Sequence, residues 1–522
     1  MPGNIVSRRE LLRYASGAVA LSGFPNLTSM IAAAQTAGER PNILFIFADD
    51  HACRAIGAYG SKVNKTPNID RIASEGALFE NSFCTNSICA PSRAVVLTGR
   101  YSHLNGVMTN AEAFDGSQPT YPQILRAAGY QTATIGKWHL KSDPTGFDFW
   151  NVLPGQGEYY NPDFMTPKGK VRREGYATDI ITDLSLEWMK SRDPGKPFLL
   201  HCWHKAPHRS WMPGPTHLTT YDDAEIPEPS TLFDDYADRA SPARNHEMGI
   251  ARHMNLPVDL KVTPPLTGNP LSGPLAIEQY RRMNERQRKL WDAAYVPKNE
   301  AFRKENPQGD DLVRWKYRRY MQDYLGCIAS VDDGVGRLLA YLDESGLAKN
   351  TIVIYCSDQG FYLGEHGWFD KRWIYEESLR MPLMIRWPEV IKAGTRVKEM
   401  VQNLDYAPTF CEVAGVKPSD GFQGVSMKSL MAGEHPADWR KSIYYHYCER
   451  GVHNVAPHYG LRTERFTMAH FYMTDEWELF DLEKDPLQMK SVYADPAYAG
   501  TVKELKDELT RLREKYGDTK GA

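Results

Sequence analysis

Cys89-Ala90-Pro91-Ser92-Arg93, continuing through Ala94-Val95-Val96 to Leu97-Thr98-Gly99-Arg100, puts a thiol, a hydroxyl and a guanidinium within five residues. Pro91 suits the first turn of a helix, Val95, Val96 and Leu97 give that helix an apolar body, and Gly99 can end it. Cys89 then falls at the positive end of the helix dipole, where a nucleophile or an anion is favoured. An isolated Cys-x-Pro is more often a buried cysteine beside a capped helix. A chemical role therefore requires cations, a cation-binding set and a proton donor elsewhere in the chain.

Each is present. The apolar run Pro41 to Phe47 reads as a strand buried on both faces of a parallel sheet, and it ends in Ala48-Asp49-Asp50-His51. Adjacent carboxylates at the carboxyl end of such a strand repel unless a cation lies between them, and one helix cap would use a single aspartate. Gln131 to Ile135 reads as a second strand, delivering Lys137 and His139, whose alternation on extended chain would turn them to one side. Pro197 to Trp203 is a third, leading to His204-Lys205-Ala206-Pro207-His208. Thr351 to Tyr355 is a fourth and delivers Asp358-Gln359. Beyond it, Asp370-Lys371-Arg372 lies in a stretch whose charges alternate with aromatics and glycines, as in a shaped sugar site.

Together the twelve residues from Cys89 to Arg100 resemble the sulfatase signature, in which the cysteine is converted to formylglycine. The resemblance, to the sulfatase branch of the alkaline-phosphatase-like superfamily, extends over residues 40–517. It implies a formylglycine hydrate at Cys89 as nucleophile, made by a formylglycine-generating maturase. It further implies one Ca2+ per chain on Asp49, Asp50, Cys89, Asp358 and Gln359, an oxygen-donor set once the thiol is converted. Gln359 departs from the Asn or His common there, and its longer arm carries the same carbonyl. Arg93, Lys137 and Lys371 would stabilise the anion, His208 would protonate the leaving oxygen with Lys371 beside it, and His139 would deprotonate the remaining geminal hydroxyl. His201 and His204 are expected simply to pack.

Several further stretches look like bacterial N-acetylglucosamine-6-O-sulfatases: Tyr101-Ser102-His103-x-Asn105-Gly106-Val107, Phe147-Asp148-x-Trp150, Tyr159-Tyr160-Asn161-Pro162, Gly175-Tyr176-Ala177-Thr178-Asp179 and Asp370-Lys371-Arg372. On that resemblance Asp370 and Arg372 would hold ring hydroxyls of a terminal sugar, and His458 would reach in from the C-terminal region. The substrate would be a 6-sulfated terminal N-acetylglucosamine on glycosaminoglycan or mucin-type glycans. Other sulfated sugars (galactose-6-sulfate, a marine polysaccharide) and phosphonate or phosphate esters are the alternatives within the superfamily. A non-catalytic glycan-binding protein with unconverted Cys89 would not need the full set of chemical groups.

The elements that must position these residues follow from periodicity and composition. At 522 residues, with 42% hydrophobic and 24% charged, the chain can bury a large α/β core. A net charge of −3 without long Lys/Arg blocks argues against a nucleic-acid surface. Eight cysteines without a Cys-x-x-Cys pair disfavour zinc ribbons and redox motifs, leaving room for one or two disulfides. The expected fold is an α/β/α sandwich with a large, mostly parallel sheet. From Tyr317 to Leu342 apolar residues step by three or four, a core helix. Residues 209–275 lack periodicity and read as long loops. Lys441–Tyr447, Tyr459–Thr463, Phe466–Phe471 and Glu478–Asp481 read as a smaller antiparallel sheet, closed by an amphipathic helix through Val502, Leu505, Leu509 and Leu512. The implied domains are 35–415 and 416–522. Residues 1–34, with Ser7-Arg8-Arg9-Glu10-Leu11-Leu12 before a weakly apolar run and Ala32-Ala33-Ala34, resemble a twin-arginine signal. That implies the twin-arginine export machinery as a partner and a periplasmic or secreted protein, with no stable membrane insertion of the mature chain.

Overall fold

In the strand Asn42–Ala48 successive side chains point to opposite faces, and both faces are buried. Ile43, Phe45 and Phe47 enter one apolar cluster and Leu44, Ile46 and Ala48 the other, so a core lies on each side of the sheet. The structure is a computed structural model describing residues 40–262 and 276–519; the twin-arginine segment lies outside the described residues. From Pro41 onward the chain forms one compact unit.

The main sheet is built, in chain order, from β1 (Asn42–Ala48), β2 (Ala77–Phe79), β3 (Gln131–Lys137), β4 (Phe149–Leu153), β5 (Asp163–Thr166), β6 (Gly169–Arg172), β7 (Phe198–Trp203), β8 (Thr351–Ser357), β9 (Leu383–Arg386) and β10 (Thr395–Val397). Its order is β10-β2-β9-β8-β1-β7-β3-β4-β5-β6. The five central strands, β8 to β4, run parallel. Antiparallel pairs occur on either side, where β9 joins β8 and β5 joins β4. The principal helices are α1 (Pro67–Ser74), α2 (Cys89–Thr98), α3 (Ala177–Ser191), α4 (Gly309–Glu344) and α5 (Ala499–Tyr516). Helix α2 contributes Ala90, Ala94, Val96 and Leu97 to one core, and α4 contributes Leu325, Ile328, Val331 and Val335 to the other. Helices thus cover both faces, the expected α/β/α sandwich.

The smaller sheet comprises β11 (Ser442–Tyr447), β12 (His458–Thr463), β13 (Phe466–Phe471) and β14 (Glu476–Asp481), antiparallel throughout. Leu505, Leu509 and Leu512 of α5 pack against it, and Val95 and Tyr101, from and just beyond α2, join the same cluster. This sheet is therefore seated directly behind the helix that begins at Cys89. The expected loop region 209–262 holds one short helix, Ser241–Asn245. Periodicity did not reveal the helix Glu285–Glu305, because ten of its 21 residues are charged and only Trp291, Ala294 and Tyr295 are buried hydrophobics. All eight cysteines are free. Among the described residues no helix is long and apolar enough to cross a membrane.

Gly136, at the carboxyl end of β3, has φ of +108°, and a Cβ there would lie 1.9 Å from the Trp203 carbonyl oxygen of β7. Gly136→Ala is expected to cost at least about 2 kcal/mol through strain and overpacking. Urea unfolding would measure it; an unchanged midpoint would show that β3 and β7 can separate without loss.

Candidate active site

Sheet register sets the site. Ala48 of β1 pairs with Ser357 of β8, so the next residues, Asp49 and Asp358, leave the sheet side by side. Phe47 pairs with Trp203, and Trp203 with Gly136, so the chains leading to His208 and to Lys137 emerge at the same edge. This is the carboxyl end of a parallel sheet, where α/β proteins bind ligands. Helix α2 starts over it with Cys89 as its first residue and ends at Gly99 in the left-handed conformation, φ +57°.

Arg93 ties the carboxylates together. Its Nη2 donates to Asp49 at 2.7 Å and to Asp358 at 3.0 Å, its Nε to Asp358 at 3.2 Å, and its Nη1 to the Lys137 carbonyl at 2.6 Å. The guanidinium is wholly buried and lies over Phe47 and Trp203, 5.1 and 5.4 Å from the ring centroids. Lys137 pairs with Asp49 and lies 3.7 Å from Cys89 Sγ. Lys371 Nζ is 2.7 Å from Asp50. The thiol lies 3.5 Å from Asp49 Oδ1. Burial, and then the charge of Asp49, push the thiol up to about 12, so the side chain is a neutral thiol and a poor nucleophile as it stands.

Asp49, Asp50 and Asp358 place one oxygen each within 4.8 Å of one another, all fully buried. Burial raises all three carboxyls. At Asp49, Lys137, His208 and Arg93 outweigh it and hold the group well below the carboxylate range. Asp358, with the Asp49 charge added to burial, is pushed up to about 8. Gln359 donates its amide to Asp50, while its Oε1 is buried with no protein partner. Three crowded carboxylates and an orphaned carbonyl oxygen form an all-oxygen set that fits a hard divalent cation.

His139 is reached differently from the expectation. β3 ends at Lys137 and His139 has φ of +56°, so strand alternation does not bring the two together; a left-handed turn does. Its Nδ1 is buried without a protein partner. Burial, followed by the charge of Lys137, pulls the ring down to about 2, leaving it neutral. His208 donates Nδ1–H to the Arg209 carbonyl at 2.5 Å, which turns Nε2 inward, 3.9 Å from Asp50. His201 stacks on Trp203 at 4.5 Å and His204 is fully buried, both as packing residues.

Asp370 and Arg372 pair with each other beside Lys371, and both have left-handed φ, +85° and +95°. Tyr445 of β11 anchors this loop by donating to the Arg372 carbonyl at 2.5 Å. The assignment of His458 to the sugar is corrected. It is fully buried, packed on Trp373 and Phe471, and both ring nitrogens bond to backbone, Nε2 to Ile374 N–H at 3.2 Å and Nδ1 to the Ala456 carbonyl at 2.8 Å. The C-terminal histidine that reaches the Asp370 loop is His453, with Nε2 3.0 Å from Asp370 Oδ2 and 3.4 Å from Arg209. Its run, Arg450-Gly451-Val452-His453-Asn454, is polar and aperiodic, so sequence gave no signal beyond its being a loop. Asn110 was also missed; its Oδ1 accepts Ala90 N–H at 3.1 Å, and its own N–H donates to Glu449 at 3.2 Å.

A sheet edge carrying carboxylates, a cysteine at a helix start and three buried cations around it are the plan of an α/β hydrolase for anionic esters. Comparison with known proteins makes the class specific. The sulfatase family pattern matches residues 41–416, and that of the N-sulphoglucosamine sulphohydrolase C-terminal region matches 364–515. The chain belongs to the sulfatase family. It is 46% identical over 490 residues to an N-acetylglucosamine-6-O-sulfatase of Bacteroides thetaiotaomicron, covering 92% of this chain and 87% of that one. A protein solved in complex with its substrate, D-glucosamine-2-N,6-O-disulfate, superposes with a TM-score of 0.91 at 45% identity, covering 92% of this chain and 99% of the other. The phosphonate monoester hydrolase of Agrobacterium radiobacter shares the fold, with a TM-score of 0.65 at 21% identity over 91% of this chain and 96% of its own.

Two substitutions separate the histidines. His458→Ala removes a buried ring with two backbone bonds and is expected to cost about 2–4 kcal/mol. His453→Ala, at a side chain 20% exposed, is expected to cost under about 1 kcal/mol. Chemical denaturation of both variants checks this, and the reverse order would overturn the correction.

Proposed function

We propose that this sulfatase removes the 6-O-sulfate from terminal N-acetylglucosamine, acting on glycosaminoglycan or mucin-type glycans. The observation that carries the reading is Cys89 at the start of α2, ringed by Asp49, Lys137 and Lys371, beside a loop pairing Asp370 with Arg372 and His453. The 46% identity to an N-acetylglucosamine-6-O-sulfatase supports the choice of sugar.

The residues present suit two additions. Calcium on Asp49, Asp50, Asp358 and Gln359 would supply positive charge to oxygens at the bottom of the site. Conversion of Cys89 to formylglycine would supply, as the aldehyde hydrate, a hard oxygen in place of a soft thiol. The chain's own groups do the rest. Arg93 orients Asp49 and Asp358 through its fork of N–H bonds, which a lysine could not reproduce. Lys137 and Lys371 face the position of the sulfate oxygens. His208, its ring fixed by the Nδ1–H bond to the Arg209 carbonyl, presents Nε2 to the departing sugar oxygen and would donate from it in the doubly protonated state, which burial disfavours and the Asp49 charge favours. His139 accepts a proton at Nδ1 in the second half of turnover. Asp370, Arg372 and His453 face the sugar hydroxyls. The Arg8-Arg9 segment supports export, and because a twin-arginine route carries folded cargo, conversion of Cys89 would precede folding and export.

The test uses enzyme whose Cys89 peptide shows, by mass spectrometry, the lower mass of the aldehyde. Such enzyme is expected to release sulfate from N-acetylglucosamine-6-sulfate at least about 100-fold faster than from galactose-6-sulfate, since a polar subsite left unpaired discriminates strongly. Preference for galactose-6-sulfate, or a phosphonate ester turned over faster than its sulfate counterpart, would overturn the substrate assignment. His453→Ala is expected to lower kcat/KM about 10-fold or more through the lost sugar contact. Cys89→Ala is expected to abolish activity.

A further inference from the structure

His103, in the short helix Ser102–Asn105 after the signature, meets two residues distant in sequence: His446 of β11 and Asp518, just past α5. One donor atom from each lies within 4.8 Å of the other two. The His103 Nε2 bonds the Tyr516 carbonyl at 2.9 Å. A carbonyl only accepts, so the ring proton is on Nε2 and the lone pair on Nδ1 points inward, 3.8 Å from Asp518 Oδ2. A histidine whose outer nitrogen is held by backbone while the inner one faces a carboxylate and a second imidazole is arranged as metal-ligating histidines are.

His446 approaches the same carboxylate with Nδ1 at 2.7 Å, and its Nε2 is buried with no hydrogen-bond partner. The Cys448 thiol lies beside the same ring. Tyr444 fixes the carboxylate by donating to Asp518 Oδ2 at 2.5 Å. The three side chains are 10–12% exposed, enclosed yet open to an ion. Donors around a tetrahedral ion with bonds of about 2.0–2.1 Å sit about 3.3 Å apart. The distances here, 2.7 and 3.8 Å, bracket that spacing. Two imidazoles and a carboxylate with a thiol adjacent suit zinc, whereas the all-oxygen set at the sulfate site suits calcium.

We propose that His103, His446 and Asp518 form a structural zinc site, separate from the sulfate site, with its fourth position open beside Cys448. The ion takes the place of the proton shared by His446 and Asp518, which leaves to solvent. It joins the segment following α2 to the small sheet and to the end of the chain, bracing the seat of the Cys89 helix from behind.

The experiment uses full-length protein stripped with a chelator, reloaded with calcium and titrated with zinc chloride by calorimetry. One equivalent of zinc is expected to bind without displacing calcium, and to raise Tm by about 2 °C or more. Cobalt in place of zinc is expected to give the visible absorption of a tetrahedral centre. His103→Gln and His446→Gln are each expected to weaken zinc binding at least 10-fold while keeping the calcium-supported sulfatase rate. Should either fail to fold, Asp518→Asn, which keeps its size, takes its place. No zinc binding to the calcium-loaded protein overturns the proposal, as does binding that survives the variants, or binding lost in Asp50→Asn but not in them.

Discussion

The fully buried guanidinium of Arg93 is the contact on which this site rests. Parallel register forces Asp49 and Asp358 to leave adjacent strands side by side, and two carboxylates in so dry a place repel strongly. Arg93 reaches both and also takes the carbonyl of Lys137 on a third strand end. A single side chain therefore sets the spacing between β1, β3 and β8 where they open. Removing one partner from such a buried pair costs about 3–5 kcal/mol, more than the pair contributes relative to an apolar replacement. The network is accordingly better understood as fixing geometry than as adding stability, and its position one helical turn after Cys89 ties that geometry to the reactive residue.

What the sequence made legible follows from which forces are local. The buried strands Asn42–Ala48, Phe198–Trp203 and Thr351–Ser357 are continuous apolar runs, and burial on both faces is the only way such runs persist. Their ends and that of Gln131–Lys137 point to one edge, so the grouping of Asp49, Asp50, Lys137, His208 and Asp358 is legible in the sequence. The α2 helix was legible from Pro91 and Gly99. The edge hairpin Asp163–Arg172 was not, since β6 is wholly exposed and has no apolar alternation to show. Nor was the choice between His453 and His458. Both lie in a polar, aromatic stretch, and the decision is made by where β12 begins: His458 is its first residue and points into the aromatic cluster around Trp373, leaving the preceding loop to reach the site.

Several side chains of the site are aimed from left-handed backbone. Asp50, His139, Asp370 and Arg372 all have positive φ although none is glycine, and all belong to the site. Left-handed conformations cost a β-carbon-bearing residue roughly 1 kcal/mol or more, so their persistence requires surrounding bonds that over-determine them. Those bonds are present: Asp50 is held at N–H by Asp358 and at its carbonyl by Tyr324, and the Arg372 carbonyl by Tyr445. The site is thus organised before substrate arrives, in the manner that electrostatic stabilisation of a charged ester requires.

The two sheets position different parts of the site. Asp49, Asp358, Arg93 and Lys137 are set by the main sheet and α2, whose register admits little variation because a one-residue slip would turn the whole set away, whereas Lys371 comes from the loop after β8. The groups proposed to face the sugar come from a loop after β8 and from the segment between β11 and β12, both supported by the small sheet but free to vary in length and composition. A phosphonate hydrolase at 21% identity can therefore share the arrangement of strands, while the contacts of Asp370, Arg372 and His453 depend on these two loops meeting. Since Tyr445 of the small sheet holds the Asp370 loop from behind and the next segment supplies His453, a shift of the small sheet would move Asp370, Arg372 and His453 together. On the proposed function, selectivity for the sugar would follow from how the small sheet is seated, and most of the charge around Cys89 from the large one.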